Sequence, residues 1–160
     1  MPQIVRADAS RIDEVEPLWL ALREHHGSVT PEWWEPRAPE KSWARRRQTY
    51  VDVLDEGGAL FFAEEDGAVV GLALCEREEG GGSPTWAWPP DVFVIIDIIV
   101  LPEARGRGVG EALMQAVEEE ARRLGVAALD LNVVASNEVA RRFYERHGFE
   151  AHLVIYRKRL

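Results

Sequence analysis

Between residues 105 and 110 the chain reads Arg-Gly-Arg-Gly-Val-Gly, with three glycines at alternate positions and an arginine before each of the first two. Glycine allows left-handed backbone angles and lets a bulky group come close to the main chain. Unpaired amides at a helix N-terminus attract anions, and guanidinium groups add charge. The pattern suits an anion such as a phosphate; a tight turn whose glycines serve packing alone is the competing reading. It is neither of the common nucleotide loops. Counted from Gly106, a G-x-G-x-x-G spacing needs glycine where Glu111 stands, and no Lys-Ser or Lys-Thr pair follows.

Two further groups are placed for chemistry. Asp97 interrupts the aliphatic run VFVIIDIIV at 92–100. A carboxylate there is costly unless it is paired or solvated by a cavity. It reads as a base or an anchor for a cationic amine, or as a carboxylate hydrogen-bonded for structure only. Downstream, SNEVARRFYERHGF at 136–149 sets Asn137, Ala140 and Tyr144 on one helical face. By itself Tyr144 reads as a packed aromatic of a Phe-Tyr pair. His25, His26, Trp33, Trp34, Trp43, Tyr50, Trp86 and Trp88 supply aromatic walls that suit an ammonium or a ring, although core or lid packing is the simpler account of any single tryptophan. Adjacent histidines on a helix point apart and no third ligand stands out, so no metal is expected.

These groups need elements to hold them. Residues 3–7 form a first strand. A helix follows with the stripe Ile12, Val15, Leu18, Trp19 and Leu22, Ser10 as its N-cap and Asp13 as a weak capping-box partner. Residues 27–40 are an irregular loop, and a second helix covers about 40–55, its Arg45–Arg47 run forming a solvated face. Strands at about 59–65 and 68–76 are joined by the Asp66-Gly67 hairpin turn, and 78–84 is a mobile surface loop. Next come a strand to Leu101, a helix at about 107–124, a strand at 127–134, a helix at 136–147 closed by Gly148, and a last strand, FEAHLVIYRKR. The order is β-α-α-β-β-β-α-β-α-β, a mixed α/β sheet with helices packed on it.

At 160 residues the chain reads as one domain, 1–160, with the apolar share of an ordinary globular protein. A net charge of -9 argues against a nucleic-acid partner and suits an amine-bearing one. The single cysteine, Cys75, excludes an internal disulfide and reads as a small buried hydrophobe. The N-terminus is too polar for a signal peptide, and the longest apolar run, broken by Asp97, falls well short of a membrane span. A cytoplasmic protein is expected.

The glycine turn and the Asn-Phe-Tyr-Gly-Phe segment together resemble the GNAT superfamily of N-acetyltransferases. Arg105, Gly108 and Gly110 match its cofactor motif, and Asn137, Phe143, Tyr144, Gly148 and Phe149 match the later one. The resemblance is strong from about residue 93 to 158. It implies a GNAT-type fold of the α+β kind, with a mixed, mostly antiparallel sheet and flanking helices. It implies acetyl-CoA as cofactor, with the turn of Arg105, Gly106, Arg107, Gly108, Val109 and Gly110 on the pyrophosphate. The strand at Ile98, Ile99 and Val100 would splay from its neighbour to pair with pantetheine and polarise the thioester carbonyl. Asn137 and Ala140 would lie against the cofactor, with Tyr144 near its sulfur as general acid. The acceptor would be a primary amine of a small molecule or peptide, held by His26, Trp33, Trp34 and Asp97. Relatives that resemble polyamine acetyltransferases carry Glu-Asp where this chain has Ile96-Asp97. Dimers are common among relatives. A non-catalytic acyl-CoA-binding module on the same fold is the alternative.

Overall fold

A computed structural model describes residues 2–80, 84–87 and 91–160. Strands β1 (Gln3–Ala7), β2 (Ala59–Glu65), β3 (Ala68–Glu79), β4 (Asp91–Val100) and β5 (Ala128–Leu131) lie in that order in one sheet. The first four pair antiparallel, while β4 and β5 pair in parallel. Helices α1 (Glu16–Val29) and α2 (Pro39–Asp55) occupy the β1–β2 connection. Helix α3 (Val109–Leu124) joins β4 to β5, and α4 (Glu138–Arg146) follows β5. Among the described residues no helix is long and apolar enough to cross a membrane.

Local chemistry accounts for most boundaries. Asp66 and Gly67 both have positive φ, 50° and 79°, the geometry of a type I′ hairpin turn. Proline stands in the first turn of both α1 and α2, where its missing N–H costs nothing. The first helix starts differently from expectation. Its N-cap is Asp8, whose carboxylate accepts from the Ser10 amide, and Ala9–Val15 is a 3-10 helix that becomes α-helical at Glu16. An extended aspartate two residues earlier captures the free amide before Ser10 can act as cap.

The sheet separates two apolar layers. On one side Phe61, Ala73, Phe93 and Ile95 pack under Val109, Leu113 and Val117 of α3. On the other, Leu60, Phe62, Leu72 and Ile99 pack under Leu18 of α1 and Trp43, Tyr50 and Val53 of α2. Fully burying one of the leucines or phenylalanines of these layers contributes about 1.5–3 kcal/mol. Cys75 lies in the first layer, and burial pushes its thiol above the ordinary range, which makes it inert.

Two pairing irregularities in β4 shape the site. Leu74 pairs with Asp97 but Cys75 pairs with Ile95, so Ile96 is an extra residue, a β-bulge. The bulge breaks the alternation of faces. Ile96 packs in the α1–α2 layer and Asp97 bonds to α2, so two consecutive side chains share a face. In addition, β5 pairs with β4 only from Val92↔Ala128 to Ile95↔Leu131. Beyond Ile95 the two strands part, and β4 runs on to Val100 without β5 beside it.

The expected last strand is absent. Residues 149–160 are not strand, and Leu153, Val154, Ile155 and Tyr156 are exposed. Arg157 instead stacks over Trp34 at 5.3 Å, which draws the segment across the α1–α2 connection rather than along β5. β5 itself is only four residues long, a short template for an added strand. The loop expected at 78–84 begins later, since β3 runs to Glu79, and residues 81–83 lie outside the described residues.

Gly71 marks where α3 meets the sheet. A Cβ there would stand 2.9 Å from the Ile99 carbonyl oxygen and 3.0 Å from Val109 Cγ1. Gly71→Ala is expected to lose about 1–3 kcal/mol of stability by overpacking, read as a lower denaturant midpoint at unchanged m-value.

Candidate active site

The glycine turn lies between the end of β4 and α3. Gly106 and Gly108 have φ of 72° and 82°, and a Cβ added to either meets nothing within 4 Å. Both therefore combine a left-handed backbone with open space, as close approach of a ligand requires. The first backbone bond of α3 is Ala112 N–H to the Gly108 carbonyl, 3.0 Å. Among the described residues no protein acceptor takes the amides of Gly106, Arg107 or Gly108, and the first-turn amides of Val109 and Gly110 have no partner within a helix. This run fits a pyrophosphate by its donors and by the helix dipole.

The side chains of the turn have other partners. Arg105 Nε donates to the Val100 carbonyl at 3.1 Å, tying the turn to β4, and Arg107 pairs with Glu65 of β2. The Val109 side chain is buried in the core. A Cβ on Gly110 would stand 3.3 Å from Phe143 Cε2, so this glycine lets α4 pack on α3. His147 Nε2 lies 2.7 Å from Glu111 Oε2 across the same contact.

Asn137 is buried and caps α4, its Oδ1 accepting from the Ala140 amide at 3.3 Å. Tyr144, half-buried, stands edge-on to Phe143 and Phe149 at 5.5 and 5.7 Å between ring centres. Burial, and then the Asp97 charge, push its phenol up to about 12, so its proton is retained at neutral pH.

Asp97 is the charged centre of the opposite face. Arg46 grips it with two bonds, Nε to Oδ2 at 2.9 Å and Nη2 to Oδ1 at 2.6 Å. The Tyr50 hydroxyl donates to Oδ2 at 2.8 Å. The Asp97 side chain is 5% exposed and that of Arg46 22%. Arg46 also lies over the Trp19 ring at 4.8 Å, and Trp19 Nε1 donates to Ser42 Oγ at 3.0 Å. Burial alone would lower the Arg46 guanidinium; Asp97 more than offsets it. Burial followed by the Asp97 charge holds the Tyr50 phenol well above its ordinary range, leaving it a fixed donor.

Arg46 corrects the reading of Arg45–Arg47 as a solvated face. The signal was in the spacing: Trp43, Arg46, Tyr50 and Val53 form an i, i+3, i+7, i+10 stripe, and its three other members are buried. Arg46 falls on the inner face, whereas Arg47 pairs at the surface with Asp13.

Next to this pair, a cleft of about 260 Å³ opens between α1, α2 and their connection, lined by Trp19, Arg23, His26, Trp34, Glu35 and Ser42 among others. His26 and Trp34 thus reach the expected acceptor region. Trp33 stacks edge-on against Trp34 at 5.8 Å without lining the cleft. Trp43 and Tyr50 are core residues, and Trp88 lies outside the described residues. Among the described residues no three His, Cys, Asp or Glu side chains gather into a metal site.

Residues 19–149 match the acetyltransferase (GNAT) family model, and the chain belongs to that family. It is similar to a mycothiol acetyltransferase of Propionibacterium freudenreichii, with 33% identity over 156 residues that cover 93% of this chain and 44% of that protein. The chain therefore spans less than half the length of that relative. A solved structure of a Bacillus halodurans protein superposes with a TM-score of 0.83 at 21% identity, covering 99% of both chains. The structure of AAC(6')-Iy with a CoA-linked bisubstrate analogue superposes with a TM-score of 0.69 at 21% identity, covering 100% of this chain and 99% of that one.

Removing the guanidinium from the Asp97 pair would strand a buried charge. Arg46→Ala is expected to cost about 3–5 kcal/mol, and the double variant Arg46→Met/Asp97→Leu distinctly less. Urea unfolding of the three proteins measures both values.

Proposed function

We propose that this chain is an acetyl-CoA-dependent N-acetyltransferase domain that moves an acetyl group directly to a primary amine of a small molecule or peptide. The observation that carries this reading is the parting of β4 from β5 beyond Ile95, which leaves a strand edge a few residues before the unpartnered amides of the glycine turn. Acetyl-CoA, when bound, supplies an acetyl thioester and a thiolate leaving group.

The chain's own residues divide the remaining work. Amides from Gly106 to Gly110 bind phosphate oxygens, and the glycine backbone admits them without a clash. The β4 backbone over Ile98, Ile99 and Val100 offers donors and acceptors to an extended amide-bearing arm. A donor from that edge aimed at the thioester oxygen would lower the barrier by about 3 kcal/mol, as a single such donor does elsewhere. Tyr144 keeps a proton on Oη for the leaving sulfur. Asn137 and Ala140 fix the start of the helix that carries Tyr144.

Asp97 has a different part from base or amine anchor. Both of its oxygens are engaged, and Arg46 balances its charge. In this reading it is a positioning residue that locks α2 to β4 and holds Arg46 and Trp19 at the back of the acceptor cleft. The cleft, slightly below the 300–1,000 Å³ typical of drug-sized ligand sites, suits a small amine or the end of a peptide side chain.

A thiol-release screen of acetyl-CoA against a diverse amine library tests the activity. Turnover with at least one amine is expected, whereas tight CoA binding without thiol release from any amine would favour the non-catalytic module. Gly108→Glu should abolish CoA binding in calorimetry while the protein stays folded, because it strains a left-handed position and places a carboxylate among the phosphate donors. Tyr144→Phe should lower kcat about 10²-fold or more with little change in CoA affinity; equal turnover would remove its role as acid.

A further inference from the structure

An amine acceptor arrives mostly as an ammonium at neutral pH, so transfer needs a proton acceptor in the cleft. Neither acid discussed above provides one. Asp97 is engaged by Arg46 and Tyr50 through both oxygens, and Tyr144 is held protonated.

We propose that His26 takes the proton from the acceptor ammonium, an inference that rests on the acetyltransferase reading above. His26 stands in the last turn of α1, half-buried, and lines the cleft beside Trp19, Trp34 and Ser42. Its backbone is anchored, since its carbonyl accepts from Thr30 N at 3.0 Å and Thr30 Oγ1 at 2.8 Å. Among the described residues no protein group hydrogen-bonds to its ring, so a nitrogen is left for substrate.

Burial favours the neutral ring over the nearby charges that would protonate it. His25 and Arg23 flank it on α1, Arg46 approaches from α2, Asp97 from β4, and Glu35 and Arg37 line the cleft from the connection. A helix C-terminus and Asp97 both favour imidazolium. Burial opposes them and is the largest influence, with His25 and Arg46 adding to it, and the net result is below the ordinary 6.5. The ring is therefore neutral at pH 7 and becomes protonated only as the pH falls below its ordinary range. Cleft base and buried phenol are thus pushed apart, His26 down and Tyr144 up, as an acid–base pair requires.

In the proton step the ammonium N–H bond breaks, its electron pair stays on nitrogen, and the imidazole nitrogen takes the proton. That lone pair forms the C–N bond as the C–S bond breaks. The sulfur takes the Tyr144 proton, the phenolate regains the one shed as the amide forms, and the imidazolium releases its proton to solvent. One ammonium and one thioester give one amide, one thiol and one proton.

The test uses an amine found active in the thiol-release screen. For the wild type, kcat/KM should fall at acid pH with an apparent pKa equal to that of the His26 ring, measured separately by NMR titration. His26→Ala should lose about 10²-fold or more in kcat/KM at pH 7.5, keep its CoA affinity in calorimetry, and regain part of the rate with added imidazole. His26→Ala within about threefold of wild type, or an acid limb that departs from the NMR value, overturns the proposal. A wild type that binds CoA but acetylates no amine would instead overturn the reading on which it rests.

Discussion

The buried ion pair between Arg46 and Asp97 ties the α1–α2 layer of this molecule to its sheet. A carboxylate in the middle of a core strand is tolerable only when its desolvation is repaid, and here a two-pronged guanidinium and a phenol repay it. The pair joins α2 to β4 next to the bulge at Ile96, the point where the strand turns two consecutive side chains to one face. Arg46 then supports the Trp19 ring, and Trp19 bonds to Ser42. One electrostatic contact thus sets the spacing of strand, helix and cleft wall.

The cofactor half obeys a different constraint. Strands β4 and β5 begin in register and part after four pairs. Parallel strands that separate leave backbone donors and acceptors unpaired, a costly arrangement unless water or a ligand takes them. The glycine turn lies just beyond, so unpaired strand edge and unpaired helix amides belong to one continuous surface. Gly110 and Phe143 close that surface from behind by letting α4 rest on α3, which places Tyr144 at the same end of the sheet.

Charge separates the functional groups of the site. Asp97 is felt by His26 on one side and Tyr144 on the other. Burial is the largest influence on both: it favours the neutral imidazole and the protonated phenol. A free Asp97 would have favoured imidazolium more strongly.

Much of this was legible in the residues themselves. Apolar periodicity and turn chemistry located five strands and four helices, since a hairpin's Asp-Gly or a helix's C-terminal glycine acts over a few residues. The glycine turn announced its left-handed angles for the same reason, and Asp97 announced itself as a charge in need of a partner. The identity of that partner was not local. Arg46 lies 51 positions away, and only the packing of α2 against β4 reveals that the middle of three arginines faces inward. Packing also decided that Gly110 serves Phe143, that Asp8 rather than Ser10 caps the first helix, and that the final apolar segment finds no sheet edge to join. Sequence determines which groups must be satisfied; the tertiary structure decides which neighbour satisfies them, because burial and charge act between elements rather than along the chain.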